Sequence, residues 1–532
     1  MKLKHLSPIA LTVLSLLAIS CQDTNEKQNT ENGTEKVSST QTNSIKDIKA
    51  KYNTDVPEKI LTPDVVETRI GTLNFFDGLP SDETAQKVYD QLDFSRGVET
   101  FLSGIPATSI EGLRLGSEDL GATKSNQVVI FDELLDSNPL FLTGNTSTVY
   151  ASMFLDLEKD GPTVVEVPAG SGPGTVNDAY FRFVIDMGAP GPDRGKGGKY
   201  LILPPDYEGK TPEGYFVAKS TSYVNWVILR GFLVDGKPEA SSKMYREGLK
   251  VYALKDKDNQ PKMEFIDAST KAFNTIHAND YEFYEELSHV VEREPVSFLD
   301  PELRGIFASI GIQKGKPFAP DTRLEGILRE AVAVGNATAR AIVFKSREKE
   351  SSIFKTGPWE SGFLGGSYEW IKDEGNGGRY LDARTRFFYM ATVNTPAMVL
   401  KMVGLGSQYA LAHHDSQGNY LDGNKNYTLN IPANVPAKEF WSVVMYDPQT
   451  RSMLQTGQSL PSVSSQRTPL VKNDDGSVTL YFGPKNTAPE GKEANWLQSV
   501  SGKGFFVLFR IYGPLEPWFD KTWQPGEFEL VK

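Results

Sequence analysis

Cysteine is almost absent: Cys21 is the only one in 532 residues, so no intrachain disulfide can contribute to stability. Histidine is scarce too, at five. Neither G-x-S-x-G nor H-E-x-x-H occurs, which removes two common signatures of hydrolytic sites. After residue 20 no apolar run is long enough for a membrane-spanning helix. Positive charge is in the minority, with 56 Lys and Arg against 68 Asp and Glu, and no basic stripe offsets the net charge of −12. Such a surface repels a phosphate backbone, so nucleic acid is not expected as a partner. What the chain does have is 47 Gly, 32 Pro, 29 Phe and 39% hydrophobic residues, the balance of a turn-rich globular protein in which strands dominate. Its length exceeds what one core can organise and predicts two or three domains.

The first 20 residues read as a secretory signal. Lys2 and Lys4 precede an apolar run, Ile9 to Ile19, too short to span a bilayer. Removing them, with two lysines and no acid, takes the net charge from −12 to −14. The run ends in Leu17-Ala18-Ile19-Ser20-Cys21, which resembles a bacterial lipobox, although Ala18 stands where Leu is commoner. A diacylglycerol on Cys21 with an amide-linked chain supplies enough hydrophobic anchors for stable membrane attachment. The expectation is a lipoprotein of the cell envelope, placed most naturally at the outer membrane of a Gram-negative bacterium. Gln22 does not suggest retention at an inner membrane, and Asp23 and Glu26 leave display on the cell surface open. Residues 21–50 are polar, bury too little to repay chain entropy, and read as a disordered tether.

Patterning divides the rest. Residues 51–267 contain a helical stretch beginning at Ser81, then short β-branched and aromatic runs such as TVYASMFLDL, PTVVEVP and NWVILRGFLV, separated by Gly, Pro and Asp. This predicts a β-sandwich. Residues 268–350 carry helical periodicity, clearest from Leu324 to Ala339, and predict a small helical module. Residues 351–532 return to strands (YTLNIP, FWSVVMYD, SVTLYFGP, GFFVLFRIYGP) and predict a second, jelly-roll-like sandwich in a mainly β protein.

Three long stretches are also familiar: VPAGSGPGTVNDAYFRFVIDMGAPGPDRGKGGKYLILPPDY, NIPANVPAKEFWSVVMYDPQTRSMLQT, and the run from YFGPKNTAPEGKEANW to the end. Together they resemble the bacterial tandem of domain of unknown function 1254 followed by domain of unknown function 1214. The resemblance implies an immunoglobulin-like N-terminal sandwich, a helical insert and a jelly-roll-like C-terminal sandwich. It supplies no reaction, cofactor or catalytic residue.

Candidate chemistry is sparse. In YALAHHDSQGNYLDG, Asp415-Ser416-Gln417-Gly418-Asn419 is turn chemistry, and adjacent strand residues point to opposite faces. His413 and His414 are therefore expected as solvated residues at a hairpin end, with no metal site. The glycine-rich stretch 186–199 lacks the Gly-Lys-Ser/Thr ending of a phosphate loop and precedes a strand, which predicts a mobile hairpin connection; gating by Arg194, Lys196 and Lys199 is the other reading. Trp518, Phe519 and Trp523 are expected to pin the C-terminal strand. What remains is an inventory of aromatic, amide and guanidinium groups suited to an amphipathic ligand: Asn145, Thr148, Tyr150, Tyr180, Arg182, Tyr223, Trp226, Asn394, Tyr446 and Arg451. Two readings follow. One is a binding protein for a glycan or small organic ligand at the junction of the sandwiches. The other is a hydrolase or lyase using a carboxylate with Tyr150, Arg182 and Tyr446 in that junction. No cofactor is expected, and a homo-oligomer stays open.

Overall fold

The computed structural model describes Tyr52 and residues 54–531. The signal sequence, Cys21 and the whole of the tether, residues 21–50, lie outside the described residues. Met1–Thr62 form one unit, whose described part carries a single 3-10 turn, Glu58–Ile60. Pro63–Lys532 form the other, and it holds everything that follows.

This unit opens with a small antiparallel sheet, β1 (Val65–Thr68), β2 (Gly71–Phe76) and β3 (Leu79–Pro80). Helix α1 (Asp82–Asp119) follows, capped by Ser81, whose hydroxyl accepts from the Thr84 N–H. It runs 38 residues, straight through Pro106. Proline and repeated glycines weaken a helix locally, but here they permit close packing. A Cβ on Gly97 would lie 2.7 Å from that of Ala331, and one on Gly116 would lie 2.3 Å from the Asn274 carbonyl.

Ten strands come next: β4 (Gln127–Ile130), β5 (Thr148–Asp156), β6 (Thr163–Val167), β7 (Pro173–Asp178), β8 (Phe183–Gly188), β9 (Gly198–Leu203), β10 (Phe216–Lys219), β11 (Val224–Phe232), β12 (Lys250–Ala253) and β13 (Glu264–Asp267). The short α2 (Leu157–Asp160) follows β5, and α3 (Glu239–Gly248) follows β11. They make a six-stranded sheet, β13-β4-β5-β11-β7-β8, and a four-stranded one, β10-β9-β6-β12. Val149, Ala151, Met153 and Leu155 of β5 join Val165, Tyr200, Ile202, Val227 and Leu229 in the core between these sheets. The alternate residues Tyr150, Trp226 and Ile228 face a second, larger core. Strands buried on both faces show as near-continuous apolar runs rather than alternation.

The middle of the chain supplies α4 (Glu282–Arg293), α5 (Pro301–Ser309) and α6 (Thr322–Phe344), and then α7 (Leu381–Met390) and α8 (Pro396–Val399). Helices α4, α5, α6 and α7 all pack against α1. The C-terminal strands are β14 (Ser407–Ala412), β15 (Tyr427–Ile431), β16 (Ala437–Tyr446), β17 (Ser462–Ser464), β18 (Val478–Gly483), β19 (Trp496–Gln498), β20 (Phe506–Pro514) and β21 (Phe528–Leu530), with α9 (Glu516–Phe519) between the last two. Sheets β14-β20-β16-β17 and β19-β18-β15-β21 enclose a further core. Trp518 and Trp523 sit in it, Trp523 stacked on Phe509 at 5.7 Å.

The expectation of a mainly β protein is corrected: the fold is mixed, with 28% helix and 27% strand in several small sheets. Two features hid the helices. In α1 they were the glycines and Pro106. In α7 it was burial on every side, since each residue from Ala383 to Met390 is buried and no polar stripe marks the period. The helical layer draws on residues 82–119, 282–344 and 381–390, and the larger core joins it to Tyr150, Trp226 and Ile228 on one side and to Leu411, Val444, Phe506 and Leu508 on the other. The glycine-rich stretch 186–199 connects strands of different sheets, so it is not a hairpin. Asp193 anchors it by accepting from the Gly197 N–H and the Tyr200 hydroxyl.

Candidate functional site

The two sheets that face the larger core each carry one arginine in an otherwise apolar strand. Arg230 on β11 lies directly across from Tyr150 on β5, and Arg510 on β20 lies across from Tyr409 on β14. These four residues line a narrow chamber of ≈ 60 Å³, with the loop Thr143-Gly144-Asn145 and the end of α7 completing it. The volume suits one or a few waters. Arg510 donates from Nη1 to the Tyr446 hydroxyl at 2.7 Å and from Nη2 to the Thr143 carbonyl at 2.6 Å. Tyr446 passes its own proton to the Gly144 carbonyl at 2.6 Å. Asn145 donates from Nδ2 to the Tyr150 hydroxyl at 2.7 Å, and Thr148 donates to Asn145 Oδ1 at 3.1 Å.

Arg230 and Arg510 are 7% and 4% exposed, and neither forms an ion pair among the described residues. Burial disfavours the Arg510 charge, but the surrounding tyrosines, Tyr446 first, outweigh it and hold the guanidinium protonated. Burial raises the hydroxyl pKa of Tyr150 and Tyr446, so both stay neutral.

A second cavity, ≈ 290 Å³ and open to solvent, lies on the other side of the segment 387–394. One wall is the turn between β7 and β8. There the buried Asp178 accepts from the backbone N–H groups of Tyr180 and Arg182 at 2.8 Å, and from Arg182 Nε and the Thr221 hydroxyl at 2.5 Å. Facing it are Trp370, Arg379 and, from α7, Arg384 and Phe388. The Arg384 guanidinium stands 5.6 Å from the Tyr180 ring centre, and that of Arg182 stands 5.7 Å from it. Burial, and then the neighbouring Arg384, lower the pKa of Arg379 from its ordinary value. Neither Arg379 nor Arg384 has an ion-pair partner among the described residues. Asp300, at the mouth, is already engaged as the N-cap of α5. Asn394 ties the walls together: it donates to the carbonyls of Phe181 at 3.0 Å and Tyr368 at 2.7 Å, while its backbone exchanges two bonds with the Asn177 side chain.

The candidate residues are thus divided. Asn145 and Tyr150 line the chamber, with Thr148 and Tyr446 bonded behind them. Tyr180, Arg182 and Asn394 line the cleft. Trp226 lies behind it, its ring 5.9 Å from that of Phe181 and its N–H on Ser152. Tyr223 reaches Asp206 at 3.3 Å, away from both cavities. Arg451 is a structural residue: fully buried, it lies 4.2 Å over the Tyr389 ring and donates to the Tyr389 carbonyl at 3.1 Å. The convergence of Tyr150, Arg182 and Tyr446 on one acid does not form, because Arg182 belongs to the other cavity. Arg230, Tyr409, Arg510, Trp370, Arg379 and Arg384 were missed. For Arg230 and Arg510 a signal existed, since NWVILRGFLV and GFFVLFRIYGP each place one charge inside a buried run.

The solvated histidines also need correction. Asp415 does make the turn, accepting from the N–H groups of Gln417 and Asn419. However, β14 ends at Ala412, so strand alternation no longer separates His413 from His414. His413 is 2% exposed, His414 is half-buried, and their ring centres are 4.2 Å apart.

Residues 125–253 match the family described as Protein of unknown function (DUF1254), and residues 406–516 match that described as Protein of unknown function (DUF1214). Among curated proteins none matches. Among solved structures, the VPA0106 protein from Vibrio parahaemolyticus is similar at 17% identity and a TM-score of 0.51, over 83% of this chain and 100% of that one. A putative uncharacterized protein from Burkholderia cenocepacia is matched at 12% identity and a TM-score of 0.38, over 84% and 96% of the two chains. The chamber is where the two matched regions meet, Tyr150 and Arg230 coming from the first and Tyr409, Tyr446 and Arg510 from the second. The chain therefore carries a domain of unknown function 1254 at residues 125–253 followed by a domain of unknown function 1214 at residues 406–516.

Proposed function

We propose that the protein is an exported, lipid-anchored binding protein of the cell envelope, held by Cys21 at the outer membrane, that takes a small organic anion in the open cleft. An organic acid or an acidic sugar unit has the required chemistry. The same reading treats residues 51–267 as an immunoglobulin-like sandwich domain, 268–350 as a helical module and 351–532 as a jelly-roll-like sandwich domain. One observation carries it. Arg379 and Arg384 line a cleft of ≈ 290 Å³ with no ion-pair partner among the described residues, beside the rings of Tyr180, Trp370 and Phe388. Cations that lack a carboxylate are completed by an anionic ligand, and flat apolar walls accept its ring or chain.

The test is calorimetric titration of the full chain with a uronate, a short dicarboxylate and an aryl carboxylate, using neutral sugars as controls. At least one anion binds, more weakly as salt rises, and Arg384→Ala lowers its affinity roughly 10–100-fold, about 1.4–2.8 kcal/mol. Preference for neutral sugars, or affinity unchanged in Arg384→Ala, would reject the anion reading. For the anchor, Cys21→Ser releases the protein from membranes; continued detergent-dependent partitioning would reject the lipid assignment.

A further inference from the structure

Away from both cavities, three ligand-bearing side chains meet at the end of β14. Glu360 forms an isolated bridge with Leu411: each N–H donates to the other's carbonyl at 2.8 Å, which places the carboxylate beside the strand end. Just beyond, the chain leaves the sheet and both imidazoles turn toward the same side. One ligand atom from each of Glu360, His413 and His414 lies within 4.8 Å of the others. We propose that Glu360, His413 and His414 form a site for a divalent transition-metal ion.

Three observations support the assignment. His413 Nδ1 and His414 Nε2 are both buried and lack a hydrogen-bond partner, an expensive state for two imidazoles that an ion relieves. The neighbours hold the side chains in place as second-shell groups do. His413 Nε2 meets the Phe344 carbonyl at 3.0 Å, and the other Glu360 oxygen, Oε2, is held by Arg386. Arg386 itself is fixed by the carbonyls of Ile342, Val343 and Ser361. Finally, a cavity of ≈ 490 Å³ with His413, Lys345 and Tyr420 in its lining adjoins the cluster and leaves one side open for water or a small ligand.

Arg386 and Lys345 oppose a cation here, and Lys345 already rests over the Tyr420 ring at 4.8 Å. Glu360 and the nearby Asp415 offset them. Two imidazoles with one carboxylate select zinc, cobalt, nickel or copper over magnesium and calcium.

The experiment loads the full chain, first stripped with a chelator, with cobalt(II) and follows its visible spectrum, then repeats the titration with zinc by calorimetry. The expected result is one tight equivalent per chain, an intense low-symmetry cobalt spectrum and no response to magnesium. His414→Ala, at a half-buried position, weakens uptake at least tenfold while the chain keeps its circular dichroism spectrum; His289→Ala, on the exposed face of α4, leaves uptake unchanged. Absence of a stoichiometric equivalent, or uptake equal in His414→Ala and the parent chain, would overturn the assignment. If His414→Ala alters the fold, Glu360→Gln is the second arm, and unchanged cobalt uptake there overturns the assignment equally.

Discussion

The chamber and the cleft are built from similar parts and put them to opposite use. Each gathers two arginines that form no ion pair among the described residues, Arg230 and Arg510 in the chamber and Arg379 and Arg384 in the cleft, and each lines them with tyrosine. In the chamber, Arg510 spends its donors on the Tyr446 hydroxyl and the Thr143 carbonyl, and the space left over is ≈ 60 Å³. In the cleft, Arg379 and Arg384 face ≈ 290 Å³ open to solvent. For Arg510 the donors are met inside the protein, and the arginine ties the C-terminal sheet to the loop at Thr143, far away in sequence. Arg384, whose Nε has no hydrogen-bond partner, is available to a ligand.

The sharpest way to break that comparison is to truncate one arginine of each kind. Arg510→Ala removes two charge-assisted hydrogen bonds, orphans a buried carbonyl and leaves a hole between the sheets. The expected loss is about 3–5 kcal/mol of unfolding free energy, read from denaturant melts. Arg384→Ala, at the solvent-facing cavity, costs less than about 1.5 kcal/mol while removing anion affinity. Equal destabilisation by the two would show that the wide and narrow cavities do not differ in kind.

A smaller effect concerns pH. Glu294 is 1% exposed and accepts from the N–H groups of Tyr223 and Val224 at 2.6 and 3.2 Å. Burial, only partly countered by Arg293, raises its pKa from 4.5 to about 7. An acid whose folded pKa is raised contributes stability that is complete below about 4.5 and is lost as pH rises through about 7. Glu294→Gln therefore flattens the fall in melting temperature between pH 4.5 and 7, by no more than about 3 kcal/mol. The charged and phenolic groups lining the chamber are arginines and tyrosines, which do not titrate in that window, so chamber variants keep the parent's pH slope. A slope unchanged in Glu294→Gln would show that the carboxyl titrates elsewhere.

How much of this was legible follows from which residues alternate. The strands TVYASMFLDL and NWVILRGFLV were readable because β-branched and aromatic residues crowd them, and Tyr150 was singled out there as an aromatic group suited to an amphipathic ligand. Arg230, in the second of these strands, was passed over although it breaks an apolar run more sharply. Its partner Arg510 lies 280 positions away, and no local pattern predicts that meeting. Arg384 was invisible for another reason: α7 is buried all round, so its charge looked like part of a polar loop rather than the inner face of a helix. His413 and His414 were misjudged because strand alternation was carried one residue too far, past Ala412.

Thr148→Val gives the smallest expected effect and probes the narrow chamber alone. Thr148 was chosen from sequence as a ligand group, yet its hydroxyl donates to Asn145 Oδ1 at 3.1 Å, behind the cavity. Asn145 Oδ1 also accepts from the Ser147 N–H at 2.8 Å, so valine leaves it bonded. Removing one neutral hydrogen bond without opening a cavity costs about 0.5–1 kcal/mol. Anion affinity at the cleft should stay at the parent value in the same variant, measured by the same titration. A loss of affinity there would mean that the loop Thr143-Gly144-Asn145 couples the chamber to the cleft through the segment 387–394, which contributes to the lining of both.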